Sequence, residues 1–304
     1  THGPGLIPAL LVGINIAKTL AYLWKKPLIG VHHIEGHIYA NWLDQQQATS
    51  DDQQKIKFPI LALVVSGGHT QLVLMKKHLD YKIIGETQDD AVGESFDKVA
   101  RILGLGYPGG PAVAACAAQY QNQNTKYQIS SEIQKPHSKY HNNLISDAYD
   151  LKLPRPMINS NDFNFSFSGL KTAVLYKVKK VKKELSVTDY KLLLPVICHE
   201  FQQAAVDVLV AKTLRAAKEN RVKTILLAGG VSANEELRST MRAKIKKELP
   251  SLYYSLPLLN YCTDNATMIA AAAFMRWQQM SERDRKRSHR NWQHLNADAN
   301  LVMR

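Results

Sequence analysis

The sequence predicts an α/β protein of two lobes. Three observations lead there. The second half of the chain alternates helix-period and strand-period apolar runs. Two glycine turns, Ser66-Gly67-Gly68 and Ala228-Gly229-Gly230, each follow a strand-like run. At 304 residues and 45% hydrophobic content, the chain can fill one large core or two medium ones.

Taken in order, the Gly3-Pro4-Gly5 turn leads into helical spacing over residues 6–24, stopped by Pro27. A short strand is expected over 28–31 and a helix over 34–43; residues 44–57 are polar and read as a surface loop. Runs 59–65 and 70–75 flank Ser66-Gly67-Gly68-His69, where paired glycines are expected to supply the positive φ of a tight hairpin. A third strand is expected over 81–86, then helices over 93–103 and 111–120 on either side of a glycine and proline turn. Residues 122–164 show little periodicity and read as a long irregular excursion. From residue 169 a helix, a long helix (189–219), a strand (224–227), a helix (234–249), a strand (252–256) and a helix (265–280) follow.

Thirty-nine Lys and Arg against 26 Asp and Glu give a formal charge of +13, which favours an acidic partner such as nucleic acid. Cys116, Cys198 and Cys262 are far apart and show no CxxC spacing, so neither a disulfide framework nor a thiolate zinc site is indicated. No apolar run is expected to span a membrane and no signal peptide pattern opens the chain, so the expected setting is the cytosol.

His33-Ile34-Glu35-Gly36-His37 places two imidazoles four residues apart on one helical face, a spacing that lets both bind one ion and that also arises by chance. Asp264 precedes an apolar helix and has an N-cap as its ordinary role, compatible with giving its other oxygen to a metal. The run Leu227 to Asn234 passes from strand through two glycines into a helix, leaving free N–H groups that can receive a phosphate. Together with the Ser66-Gly67-Gly68 hairpin it suggests two lobes closing over a nucleotide. Basic runs occur at 177–183, 242–247 and 283–290, ordinarily solvated faces; the last is followed by Trp292 and His294, a pattern that also suits phosphates and a stacked base.

Ordered segments from Thr1 to about Met275 resemble the TsaD family of tRNA threonylcarbamoyltransferases, once described as O-sialoglycoprotein endopeptidases. They include Thr1-His2-Gly3-Pro4-Gly5, His32 to His37, Val65 to Thr70, Phe96-Asp97-Lys98, Tyr107 to Pro111, Phe165 to Thr172, Gly229 to Asn234 and Cys262 to Asn265. The form of the Phe165 segment is similar to the bacterial or mitochondrial branch. The resemblance implies an actin-like ATPase (ASKHA) fold of two lobes. Residues 1–110 would be the remainder of the first lobe, with its leading strands absent, 111–280 the second lobe, and 281–304 a basic tail.

The resemblance also implies one divalent metal per subunit, Fe(II) or Zn(II), on His33, His37 and Asp264. Substrate contacts would fall on Val64, Val65, Ser66, Gly67, Gly68, Asp97, Gly110 and Asn234. The implied reaction moves the threonylcarbamoyl group of threonylcarbamoyl-AMP to N6 of adenosine 37 in ANN-decoding tRNAs. The implied partners are a TsaB-like paralogue and a TsaE-like ATPase, or a second copy in a homodimer. A metal-dependent glycoprotein endopeptidase fits less well, because Ile34 stands where the zincin pattern places its base. An ASKHA-type ATPase or kinase fits less well too, because such enzymes hold Mg²⁺ through carboxylates and phosphates rather than imidazoles.

Overall fold

The computed structural model describes residues 1–43, 56–131 and 151–303. Five strands form one mixed sheet: β1 (Ile60–Val65), β2 (Thr70–Met75), β3 (Tyr81–Glu86), β4 (Thr224–Ala228) and β5 (Tyr253–Ser255), in the order β3-β2-β1-β4-β5. β2 runs antiparallel to β1 and β3, whereas β1, β4 and β5 are parallel. Every residue of β1 and β4 is buried, as expected for central strands covered on both faces.

The alternation along the strands separates two cores. Leu61, Leu63, Val65, Leu72, Ile225 and Leu227 face one side. There they meet α3 (Val92–Leu103), α4 (Gly109–Ser131), α5 (Ser168–Glu184), α6 (Val187–Glu219) and α7 (Glu235–Glu248). Ile60, Ala62, Val64, Val73, Leu226 and Ala228 face the other side, covered by α2 (His33–Tyr39) and, beyond the short α8 (Leu259–Cys262), by α9 (Ala266–Gln279). The apolar α1 (Ile7–Leu23), which buries Leu10 and Ile14 and leaves Leu11, Val12 and Ile16 exposed, and the basic α10 (Glu282–Ser288) complete the described α-helices.

Five sequence expectations change. First, the two glycine turns, expected on separate lobes, stand side by side. Both glycine turns end strands of the same sheet, and Val64 of β1 lies opposite Ala228 of β4. Second, no strand forms over 28–31. Leu28 N–H donates to the Ser288 carbonyl (3.0 Å) and His2 N–H to Val31 (3.2 Å), and only the Gly3–His32 bridge is strand-like.

Third, the hairpin at 66–69 forms, but neither Gly67 nor Gly68 has a positive φ. The turn closes through Ser66 N–H to the His69 carbonyl (2.8 Å) and His69 N–H to Ser66 Oγ (3.1 Å). Fourth, α4 runs on to Ser131, into the expected irregular excursion, whose residues 132–150 lie outside the described residues, as do 44–55 of the expected loop. Fifth, α6 is long and apolar enough to cross a bilayer, yet 72% of its most apolar window is buried in the fold, so it reads as the central core helix.

Residues near the C-terminal end fold back on the opening segment. Asp298 N–H donates to the His2 carbonyl (2.9 Å) and Gly5 N–H to Ala299 (3.2 Å). His32 caps α2, its Nδ1 accepting from Ile34 N–H (3.2 Å), so the neutral ring must donate through Nε2 to the Leu301 carbonyl (2.9 Å). Burial holds the imidazole neutral, lowering its pKa to about 4 against the opposing pull of the Leu301 hydrogen bond.

Candidate metal centre

Each residue of the His33 to His37 segment has a separate job in α2. His33 and His37 project from one face and meet edge to face, ring centroids 4.9 Å apart. Ile34 is buried in the second core. Gly36 allows close approach to α9, since a methyl group there would press on Ile269 Cδ1 at 2.7 Å. Glu35 is fully buried and turned away from the histidines, where it accepts from Arg276 Nε (2.8 Å) and Nη2 of α9. That ion pair ties the helix carrying the histidines to the helix that Asp264 precedes.

Asp264 is not the cap of α9. Asn265 takes that role, its Oδ1 accepting from Met268 N–H at 2.8 Å, and this leaves the Asp264 carboxylate free to face α2. Its Oδ1 lies 3.2 Å from His33 Nε2 and 3.2 Å from His37 Nε2. Hydrogen bonds from the two imidazoles hold the Asp264 carboxyl far below the usual carboxylate range.

The donor set suits a divalent cation. Two imidazole nitrogens and one carboxylate oxygen lie within 4.8 Å of one another. Ligands about 2.05 Å from a shared tetrahedral ion are themselves about 3.3 Å apart, close to the spacing seen here. Two nitrogens and one oxygen match the preferences of zinc and iron rather than magnesium or calcium.

The histidines, Asp264 and both glycine turns open on one cavity of about 940 Å³. α1 forms a wall through Leu10 and Ile14, and Ser66, Gly67, Gly68, His69, Gly230 and Thr263 also line it. Gly229, at φ +89°, needs the absence of a side chain, because a methyl group would collide with the Val65 carbonyl. Gly67, Gly68 and Gly230 have nothing within 4 Å where a Cβ would stand, so their backbone is open to a ligand. The two turns thus form one cradle at the carboxyl ends of neighbouring parallel strands, where open α/β sheets bind ligands.

A model of the tRNA N6-adenosine threonylcarbamoyltransferase family, TsaD, matches residues 1–271. The chain belongs to this family. A relative of that name from Geobacillus kaustophilus is 46% identical over 284 residues, 93% of this chain and 71% of the relative. Relatives from Syntrophomonas wolfei (44% identical, covering 90% of this chain and 68% of the relative) and Listeria welshimeri (46%, 90% and 67%) carry the same name. A solved structure of full-length HypF in a phosphate- and nucleotide-bound form aligns with a TM-score of 0.44 at 10% identity, over 83% of this chain and 36% of that one.

Among the substrate contacts expected from the TsaD family, Ser66, Gly67 and Gly68 line the cavity with the metal-ligand candidates. The others are placed differently. The Val64 and Val65 side chains are buried on opposite faces of the sheet, leaving only backbone groups to offer. Asp97 Oδ1 accepts from Gly109 N–H (2.7 Å) at the start of α4, and Gly110 beside it is uncovered. Asn234 caps α7 through Oδ1 (Leu237 N–H, 2.9 Å) and donates Nδ2 to Gln202 Oε1 (2.9 Å).

Three functional neighbours carried no distinct sequence signal of role. His69 joins the cavity, its pKa lowered by burial and by the nearby His33 and His37. His32 and Glu35 position α2. Both stand within the motif already singled out, so its unusual density of ionisable groups was the available clue.

Proposed function

We propose that this chain transfers the threonylcarbamoyl group of threonylcarbamoyl-AMP to N6 of adenosine 37 in ANN-decoding tRNAs, forming t6A and releasing AMP. The observation that carries this reading is the convergence of the donor set and both glycine turns on one cavity, in a chain of the TsaD family. The adenosine amine attacks the carbamoyl carbon, the bond from that carbon to the phosphate oxygen breaks, and the amine gives up one proton.

The cradle holds the leaving phosphate. N–H groups around Gly67, Gly68 and Gly230 can approach the phosphate oxygens because no side chain covers them. Asp97 keeps one carboxylate oxygen engaged with Gly109 and offers the other to a ribose hydroxyl. His33, His37 and Asp264 would hold a divalent iron or zinc ion, which when bound withdraws charge from the carbonyl oxygen under attack. α1 and the two turns line the cavity that would receive the reacting groups.

The same reading takes the five-stranded sheet as one lobe of an ASKHA architecture, and the protein as a cytoplasmic enzyme working with a TsaB-like paralogue and a TsaE-like ATPase or as a homodimer. The endopeptidase alternative is disfavoured by Glu35, since the motif's carboxylate is spent on Arg276 and cannot activate a water at the histidines. The test is mass spectrometry of tRNA nucleosides after incubation with threonylcarbamoyl-AMP. His33→Ala and Asp264→Ala, both at partly or largely exposed side chains, should abolish t6A formation with little change in melting temperature. Full modification by both variants would refute the assignment.

A further inference from the structure

α10 carries a cationic face that the site does not account for. Arg283 and Arg287 are four residues apart on one face of α10, and Arg290 stands in the turn just beyond its end. They line one groove of about 850 Å³ with Ser281, Asp284 and Lys286. The neighbouring charges are already engaged. Lys286 pairs with Glu282 (2.8 Å), Asp284 accepts from Ser281 Oγ (2.6 Å), and Arg285 donates to the Trp277 carbonyl while lying over its ring at 5.0 Å. Arg283, Arg287 and Arg290 are exposed and have no carboxylate partner among the described residues.

This face is fixed beside the candidate metal centre. Leu28 N–H donates to the Ser288 carbonyl (3.0 Å) and Asn291 Nδ2 to the Leu28 carbonyl (2.9 Å), while Leu28, Ile29, Gly30 and Leu295 all line the 940 Å³ cavity. Three guanidinium groups without a carboxylate partner among the described residues converge on one groove, where they can meet successive phosphates of one strand.

We propose that Arg283, Arg287 and Arg290 seat the phosphate backbone of the tRNA whose base enters the neighbouring cavity. The inference rests on the RNA-modifying reading above and adds the surface that orients the substrate. Guanidinium forks bind phosphates in pairs of hydrogen bonds and carry no base information, so the face sets register rather than sequence choice.

The test compares the full-length protein with the triple variant Arg283→Gln, Arg287→Gln, Arg290→Gln, and with a charge-matched control, Lys179→Gln, Lys180→Gln, Lys183→Gln, on the exposed face of α5. Binding of an unmodified tRNA transcript is measured from about 50 to 200 mM salt. Each phosphate contact contributes about 0.7 to 0.9 to the slope of log K against log salt, so the arginine variant should lose about 2 to 3 from that slope and the lysine control little. In turnover, the arginine variant should raise KM for tRNA and keep its kcat. An unchanged slope in the arginine variant, or an equal loss in the lysine control, overturns the inference. Binding is read without chemistry, so a wild-type protein that makes no t6A would refute the proposed function while the slope comparison still decides this one.

Discussion

Glu35→Gln is the most informative single change in the fold. The side chain keeps its shape and loses its charge, leaving the Arg276 guanidinium facing a neutral amide between α2 and α9. Breaking a buried ion pair from one side costs about 3 to 5 kcal/mol. The Arg276 side chain is 31% exposed, so water recovers part of that and about 2 to 3 kcal/mol is expected. In a chain of this length that corresponds to a fall in melting temperature of roughly 3 to 5 °C. The double variant Glu35→Gln, Arg276→Gln should cost less than the two single changes together, with a coupling energy of about 1 kcal/mol or more. Because the pair sets the spacing between the histidines and Asp264, the affinity for zinc should also weaken, on the order of tenfold. Calorimetry and metal titration measure both quantities. Additive single changes, together with unchanged zinc affinity, would show that the ion pair does not position the site.

Asn265→Ala should lower stability by about 1 kcal/mol through loss of the α9 cap, whereas Asp264→Asn should leave stability nearly unchanged and remove metal, as read by melting and elemental analysis. Gly229→Ala should destabilise by about 2 kcal/mol or more, from strain at positive φ and the collision with Val65, with a matching fall in the denaturant midpoint. In metal-free protein, His32 binds its proton less readily folded than unfolded, so its contribution is intact above pH 6.5 and is lost as pH falls towards 4. His32→Asn, which can keep the cap to Ile34, should flatten that part of the stability profile; an unaltered profile would show that His32 does not set it. Dialysis against a chelator should lower metal content from one ion per chain to near zero, and His37→Ala should prevent reloading.

Much of this fold is written in local periodicity. β2 and β3 fall where alternation places them, and the helices expected at 189–219, 234–249 and 265–280 begin and end close to those limits, because period and caps agree there, whereas α8 and α10 were not foreseen. The misreadings share a cause in long-range pairing. Residues 28–31 have strand composition, but their backbone bonds go to His2 and Ser288 instead of a sheet. The Ser66 and Gly229 turns look alike in sequence, and nothing local says that β1 and β4 are neighbours 160 residues apart; the parallel register alone makes them one cradle. The histidine spacing was legible and the partner was not, since Asp264 and Asn265 compete for the same cap and only the packing of α9 decides between them. Glu35 lay in plain view within the motif, yet its direction depends on Arg276, far along the chain.

The hydrogen bond from His32 to the Leu301 carbonyl joins residues 269 apart in sequence. At about 5 to 20 residues per second, the ribosome supplies the acceptor roughly 15 to 50 seconds after it has made the helix that the acceptor steadies. A nascent chain that already contains both histidines and Asp264 therefore lacks the last fastening of the donor set. Maturation of the centre is tied to synthesis of the segment around Leu301, and a metal ion captured earlier would meet a looser and more exchangeable site.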